Sequence, residues 1–311
     1  LVLKTYYRRR KTYCAIPSIS FTRFGMIRAQ PLLGTLVEIK IHDSISADTT
    51  QHAINTAFEC IQLVQKLMSF HDPDSELSRI NREAFQRPIQ VHAWVYAVLK
   101  RANLIFQHSD GLFDCSVADQ LVNWQLLPDH FVSKLKKTDL NTARLNTYLP
   151  YSQAHLVLLT QNHVKLTAPI LLDLGGIAKG FAVDLAIHCL KQHGIQNAVV
   201  NAGGDLRVLG EHPEPISLRD PTHPQHFHHL GNLSNGAIAS SARYFSQKQL
   251  NQTWVNALVH PQTRKPLDSA HSFSVIAPNA CIADALTKVV AISQNPEHPC
   301  LKMFAAQALI I

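Results

Sequence analysis

Two short glycine-bearing stretches carry the residues best suited to chemistry. The first is Asp173-Leu174-Gly175-Gly176-Ile177-Ala178-Lys179-Gly180. Adjacent glycines leaving a strand tolerate positive φ and let another group approach the backbone closely. The helix expected after them offers unpaired N–H groups at its positive end. That combination suits a phosphate or pyrophosphate, and Lys179 adds a point charge. The spacing is neither G-x-x-x-x-G-K-[ST] nor G-x-G-x-x-G, so neither the P-loop nor the dinucleotide fingerprint applies. Read alone, the stretch is equally a tight strand-to-helix turn with a glycine at a packing contact. The second stretch, Asn201-Ala202-Gly203-Gly204-Asp205-Leu206, repeats the logic at the end of another expected strand. Two Gly-Gly turns on one side of a sheet make a cleft lined by backbone donors, which packing alone explains less well.

A third element is Ala283-Asp284-Ala285-Leu286-Thr287-Lys288. On a helix, Asp284 and Thr287 share a face at i, i+3. A carboxylate beside a hydroxyl suits a hard cation such as Mg²⁺. The competing reading pairs Asp284 with Lys288 at i, i+4 on an exposed face. The tract holding His223, His226, His228 and His229 fits no defined metal spacing.

These stretches need elements to hold them. Residues 35–42 read as a strand, and Ile54, Ala57, Ile61, Val64 and Met68 recur at helical spacing. Asp74 or Ser75 caps a short helix carrying Leu77, Ile80 and Asn81. A third helix spans 93–106 and stops at Ser109-Asp110-Gly111. Residues 127–154 are polar and weakly periodic, an excursion from the fold. Beyond them, 156–159 and 164–166 read as a hairpin, and 171–174 as a strand leading into the glycine turn. A helix over 177–193 and a buried strand at 198–200 follow. Short strands are expected near 206–209, 216–219, 254–259 and 272–277, with a helix over 281–293. The pattern predicts an α+β fold of mixed layers.

The 311 residues include 46% hydrophobic and 16% charged, an ordinary globular balance. The net charge of +7 sits at one end of the chain. Residues 1–25 hold Lys4, Arg8, Arg9, Arg10, Lys11 and Arg23 and no acid; setting these six aside leaves 23 basic against 22 acidic residues. No basic and aromatic stripe remains for a nucleic-acid partner. Residues 1–25 lack the apolar run of a secretory signal and read as a disordered or mis-started extension ahead of one domain over 26–311. No stretch reaches the length of a transmembrane segment. Six widely spaced cysteines form no C-x-x-C pair, which argues against a zinc module.

The order of these blocks resembles the FAD:protein FMN transferase (ApbE) family. Gly34-Thr35 resembles its Met-Gly-Thr strand entry, with Leu33 in place of Met. Met68-Ser69-Phe70, followed by Asp74-Ser75-Glu76-Leu77-Ser78-Arg79-Ile80-Asn81, resembles its flavin-contacting segment. Gly111-Leu112-Phe113-Asp114 resembles its Phe-Asp turn, Trp124 its downstream Trp, and Arg219-Asp220-Pro221 its short Asp-Pro strand end. Asp173 to Gly180 and Asn201 to Leu206 match its central motifs closely. Ser240-Ser241-Ala242-Arg243-Tyr244 resembles its Ser-Gly-x-Tyr segment, and Ala283 to Leu286 its metal helix.

The resemblance implies transfer of the FMN half of FAD to a Ser or Thr of an acceptor flavoprotein, with Mg²⁺ and release of AMP. It implies that Ala178 gives a backbone carbonyl and Asp284 a carboxylate to the metal. It places Met68, Ser69 and Phe70 on the flavin, and Asp114, Asp173, Gly175, Gly176, Lys179, Asn201, Gly203 and Gly204 about the FAD. Three positions depart from the family pattern. Lys288 stands where the family's metal-binding Thr stands, with Thr287 one residue early. Ala257 stands at the family's base-providing His, with His260 three residues on, and Ala242 replaces a Gly. A non-catalytic FAD-binding relative is therefore the alternative reading. Family members often act outside the inner membrane, whereas this N-terminus favours the cytoplasm.

Overall fold

The computed structural model describes residues 19–22, 25–130, 152–223 and 225–311. Its centre is an eight-stranded antiparallel sheet. In spatial order the strands are β1 (Ile19–Thr22), β2 (Gly25–Leu32), β3 (Thr35–Ile41), β7 (Ala198–Ala202), β8 (Asp205–Leu209), β11 (Ala237–Ala242), β14 (Ser272–Ala277) and β15 (Gln307–Ile310). The strand β1 falls inside the stretch read as an extension; residues 1–18 lie outside the described residues. In β3 the alternation Val37, Ile39, Ile41 puts one face into the core, as period-2 patterning requires.

Three helices cover that face: α1 (Ala47–Met68), α5 (Ala178–Gln192) and α6 (Ala280–Ser293). The starts of α1 and α6 are fixed by side-chain caps, whereas α5 begins at Ile177 without one. Ser46 accepts from Thr49 N–H at 3.1 Å and Asn279 from Ile282 N–H at 3.0 Å. Ser75 likewise caps α2 (Glu76–Glu83), accepting from Ser78 N–H at 3.1 Å. The helix α3 (Ala93–His108) follows, then the short α4 (Ala118–Asn123). A three-stranded sheet joins β4 (Ile89–Gln90), β6 (His163–Leu166) and β5 (Leu156–Leu158), confirming the expected hairpin. The hairpin of β9 (Glu214–Arg219) and β10 (Phe227–Leu233) holds Ile216 and Leu218 against Ile238 of the main sheet. A second, smaller hairpin pairs β12 (Lys248–Leu250) with β13 (Thr253–Val255), so the strand expected over 254–259 ends early. Most of the polar excursion, residues 131–151, lies outside the described residues.

One expectation is corrected. Residues 171–174 form no strand. Their backbone groups find other partners: Asn81 Nδ2 donates to Leu172 O at 2.9 Å, and Leu172 N–H donates to Asn81 Oδ1 at 2.8 Å. Asp173 N–H donates to Cys115 O at 2.8 Å. A buried asparagine offers a donor and an acceptor side by side and so replaces a neighbouring strand.

The contact between α5 and α6 is unusually tight. A Cβ on Gly180 would lie 2.2 Å from Ala280 O, so only glycine permits the approach. Asp184 of α5 reaches the start of α6 and accepts from Ala280 and Cys281 N–H, both at 2.9 Å. A carboxylate at a helix N-terminus is favourably placed against the helix dipole. Arg207 of β8 holds Asp184 from the other side at 2.6 Å. Gly180→Ala should therefore force the helices apart and cost about 1–3 kcal/mol or more, as overpacking does. Urea unfolding checks this; an unchanged midpoint would contradict the packing described.

Candidate functional site

The two glycine turns meet across a cleft of about 450 Å³. The first turn, Gly175-Gly176, leads directly into α5. The second, Gly203-Gly204, joins β7 to β8 with φ of 64° and 105°, values in the left-handed region. A Cβ at Gly203 would lie 2.3 Å from Thr35 Oγ1, so the β7–β8 turn packs directly on the start of β3. Asn201 Oδ1 closes the β7–β8 turn by accepting from Gly204 N–H at 2.9 Å. Asn201 and Gly204 therefore shape the turn without lining the cleft, whereas Gly203 lines it.

Asp114, Asp173, Gly175, Gly176 and Lys179 also line the cleft. Asp114 is buried and caps a 3-10 turn at Cys115–Val117, accepting from Ser116 N–H at 2.7 Å. Burial pushes its carboxyl above the ordinary range, against the hydrogen bonds from Ser116. Asp173 is raised by the same cause, with Gly175 N–H at 3.2 Å acting the other way. The expected flavin segment behaves differently. Met68 and Phe70 are buried in the main core, and Ser69 caps α1; none of the three lines this cleft. The apolar side chains that suit a flat ring suit the core equally well.

Under the first turn lie two carboxylates and two ammoniums. Asp284 has no exposed surface and Asp205 is 3% exposed. Lys179 pairs closely with Asp205 and reaches Asp284 Oδ2 at 3.5 Å. Lys288 pairs closely with Asp284 Oδ1 and donates to Asp284 O at 3.0 Å. Gly180 N–H donates to Asp284 Oδ2 at 3.2 Å. Burial acts to raise the Asp284 carboxyl, but Lys179 and Lys288 outweigh it and hold it below the ordinary range. For Asp205, burial and then the neighbouring Asp284 prevail, and its carboxyl is raised. Burial alone would lower the Lys179 ammonium; the two carboxylates reverse that and raise it. Asp205 was not singled out in the sequence as a site residue, although an acid directly after a glycine turn was the available signal.

The expected metal ligands can be tested on this geometry. Mg²⁺ demands near-octahedral oxygens at about 2.0–2.1 Å. Thr287 Oγ1 donates to Asp284 O at 2.6 Å and contacts Ser241 Oγ at 2.8 Å. Asp284 Oδ1 is held by Lys288, and Oδ2 by Gly180 and Lys179. Ala178 opens α5 and is buried. The donors are committed and an ammonium stands among them, so the set does not fit a divalent cation as arranged. Among the described residues no cluster of three or more His, Cys, Asp or Glu fits a metal either.

Ala257 lines the cleft and brings no titratable group to it. His260 does not line it; its Nδ1 accepts from Gln262 N–H at 3.3 Å and so caps its own turn. Among the described residues no helix is long and apolar enough to cross a membrane.

The ApbE family profile matches residues 33–305 of this chain. A FAD:protein FMN transferase of Treponema pallidum is 25% identical over 287 residues, covering 83% of this chain and 76% of the relative. Another, of Chlamydia trachomatis, is 29% identical over 266 residues, covering 82% and 80%. The structure of the ApbE protein of Thermotoga maritima superposes with a TM-score of 0.75 at 23% identity, over 92% of this chain and 94% of that one. That of the flavin transferase ApbE of Vibrio cholerae gives 0.73 at 23%, over 95% and 94%. At these identities the superpositions speak for the fold.

A pH experiment tests the site's electrostatics. A carboxyl raised by folding contributes stability that is full below its unfolded value of about 3.9 and lost as pH rises through the folded value. Asp114→Asn keeps the acceptor for Ser116 and removes the titration. The stability of wild type relative to this variant should therefore be greatest near about pH 4 and shrink toward about pH 7. Urea unfolding at both ends checks it; a constant difference would mean Asp114 ionises freely.

Proposed function

The chain belongs to the ApbE family, and from that premise we propose that it transfers the FMN half of FAD to a Ser or Thr hydroxyl of an acceptor flavoprotein, releasing AMP. The observation that carries the reading is the convergence of Gly175-Gly176, Gly203 and Lys179 on one cleft. Glycines let a pyrophosphate lie against backbone, and Lys179 supplies charge at the start of a helix. In the reaction the acceptor oxygen bonds to the FMN-side phosphorus while that phosphorus loses its bond to the oxygen leaving with AMP. Negative charge grows on the phosphate oxygens, and preorganised N–H groups and ammoniums stabilise it. The acceptor hydroxyl loses its proton in the same step.

Asp284 and Thr287, which the family resemblance would assign to Mg²⁺, are otherwise engaged. A second reading rests on Ala257: a cleft-lining alanine at the position of a base favours a FAD-binding relative that does not transfer.

Purified protein, FAD and a Ser/Thr-containing acceptor peptide should yield AMP and a peptide heavier by FMN. If FAD binds but stays intact, the second reading stands. Ala257→His should then raise transfer by about a hundredfold or more, the usual contribution of a general base. Lys179→Met should weaken FAD binding roughly tenfold, as loss of a charged contact does. Undiminished binding would remove Lys179 from the ligand's surroundings.

A further inference from the structure

The carboxylate beneath the cleft already holds a cation of the chain's own. Lys288 lies one helical turn beyond Asp284 on α6, and its stem passes under the first glycine turn. A Cβ on Gly176 would lie 3.3 Å from Lys288 Cε and 3.6 Å from Phe113 Cε2, so the stem runs directly against the turn. The stem delivers the ammonium to Asp284 Oδ1 and to Asp284 O, the latter at 3.0 Å. An ammonium has three N–H donors. Two are spent on Asp284, and Lys288 lines the cleft, so the third is available to a ligand oxygen there. Thr287, the hydroxyl that would replace a metal ligand, is instead bonded to its own helix and to Ser241.

We propose that the Lys288 ammonium is the resident cation of this site, taking the place of a divalent metal, so that the cleft accepts a dinucleotide pyrophosphate without one. The proposal rests on reading the cleft as a FAD site. The charge a metal would bring is built into the chain, tethered and oriented by Asp284. A lysine offers a compact charge with no coordination sphere to complete, whereas Mg²⁺ needs oxygens that are committed here.

Two measurements test it. The first needs no flavin: Mn²⁺ is titrated into the free protein and followed by electron paramagnetic resonance. Wild type should leave the free Mn²⁺ signal unchanged, and Lys288→Thr, with the ammonium gone, should take up Mn²⁺ stoichiometrically. Uptake by wild type that disappears in Asp284→Ala would overturn the proposal. So would a Lys288→Thr protein that is folded by circular dichroism yet takes up no Mn²⁺. The second is FAD affinity by fluorescence in EDTA and in Mg²⁺. Wild type should bind equally in both, whereas Lys288→Thr should lose roughly tenfold in EDTA and regain it with Mg²⁺. Wild-type binding that collapses in EDTA would overturn the proposal. Failure of wild type to bind FAD under either condition would instead sink the reading of the cleft, and the Mn²⁺ titration would still decide the role of Lys288.

Discussion

A carboxylate with no exposed surface must be neutralised, and Asp284 is neutralised by two lysines arriving from different helices. Lys179 comes from the first turn of α5 and Lys288 from the next turn of α6. Lys288 reaches it along its own helix, whereas Lys179 reaches it from α5, which approaches α6 closely at Gly180, where the backbones of the two helices meet. The crossing is locked by Asp184, which caps α6 and is itself held by Arg207 of the sheet. Removing one partner from such a buried group leaves an uncompensated charge, the costly outcome for ion pairs in protein interiors.

The rest of the site follows from that crossing. The start of α5 fixes the Gly175-Gly176 turn, and the sheet brings the β7–β8 turn opposite. Thr35, at the start of β3, packs under Gly203 and ties the second turn to the neighbouring strand of the sheet. The run 171–174, satisfied by Asn81 and Cys115 rather than by a strand, aims Asp173 at the cleft. The cleft thus sets glycine turns and a compensated charge cluster, suited to an anion, beside apolar side chains such as Leu112, Phe113 and Leu126.

Much of this was legible in the sequence. The glycine pairs pointed to two turns on one cleft because few structural needs place two such pairs after apolar runs. Helical spacing located α1 and α3, α5 and α6 were expected in their places, and a cap at Asp74 or Ser75 located α2, which Ser75 provides. The strand expected over 171–174 was misread because an apolar run looks alike whether its partner is a strand or one asparagine side chain. Met68 and Phe70 lie in the core rather than on the cleft's lining, and apolar composition alone does not distinguish a core position from a flavin face. The partnership of Lys288 with Asp284 was available as an i, i+4 pair. Its burial was not, because burial depends on the close approach of α5 at Gly180, far away in the sequence. Asp205 was overlooked since its role arises only when Lys179 lies across from it.

The central claim is that this cleft binds the FAD pyrophosphate over a lysine-filled cation site. Crystals grown with FAD and Mn²⁺, with diffraction recorded at a wavelength where manganese scatters anomalously, test it most directly. The account predicts flavin dinucleotide density with its phosphates beside Gly176 and Lys179, and no anomalous peak at Asp284, where Lys288 remains paired. An anomalous peak bonded to Asp284, with Lys288 swung away, would contradict it.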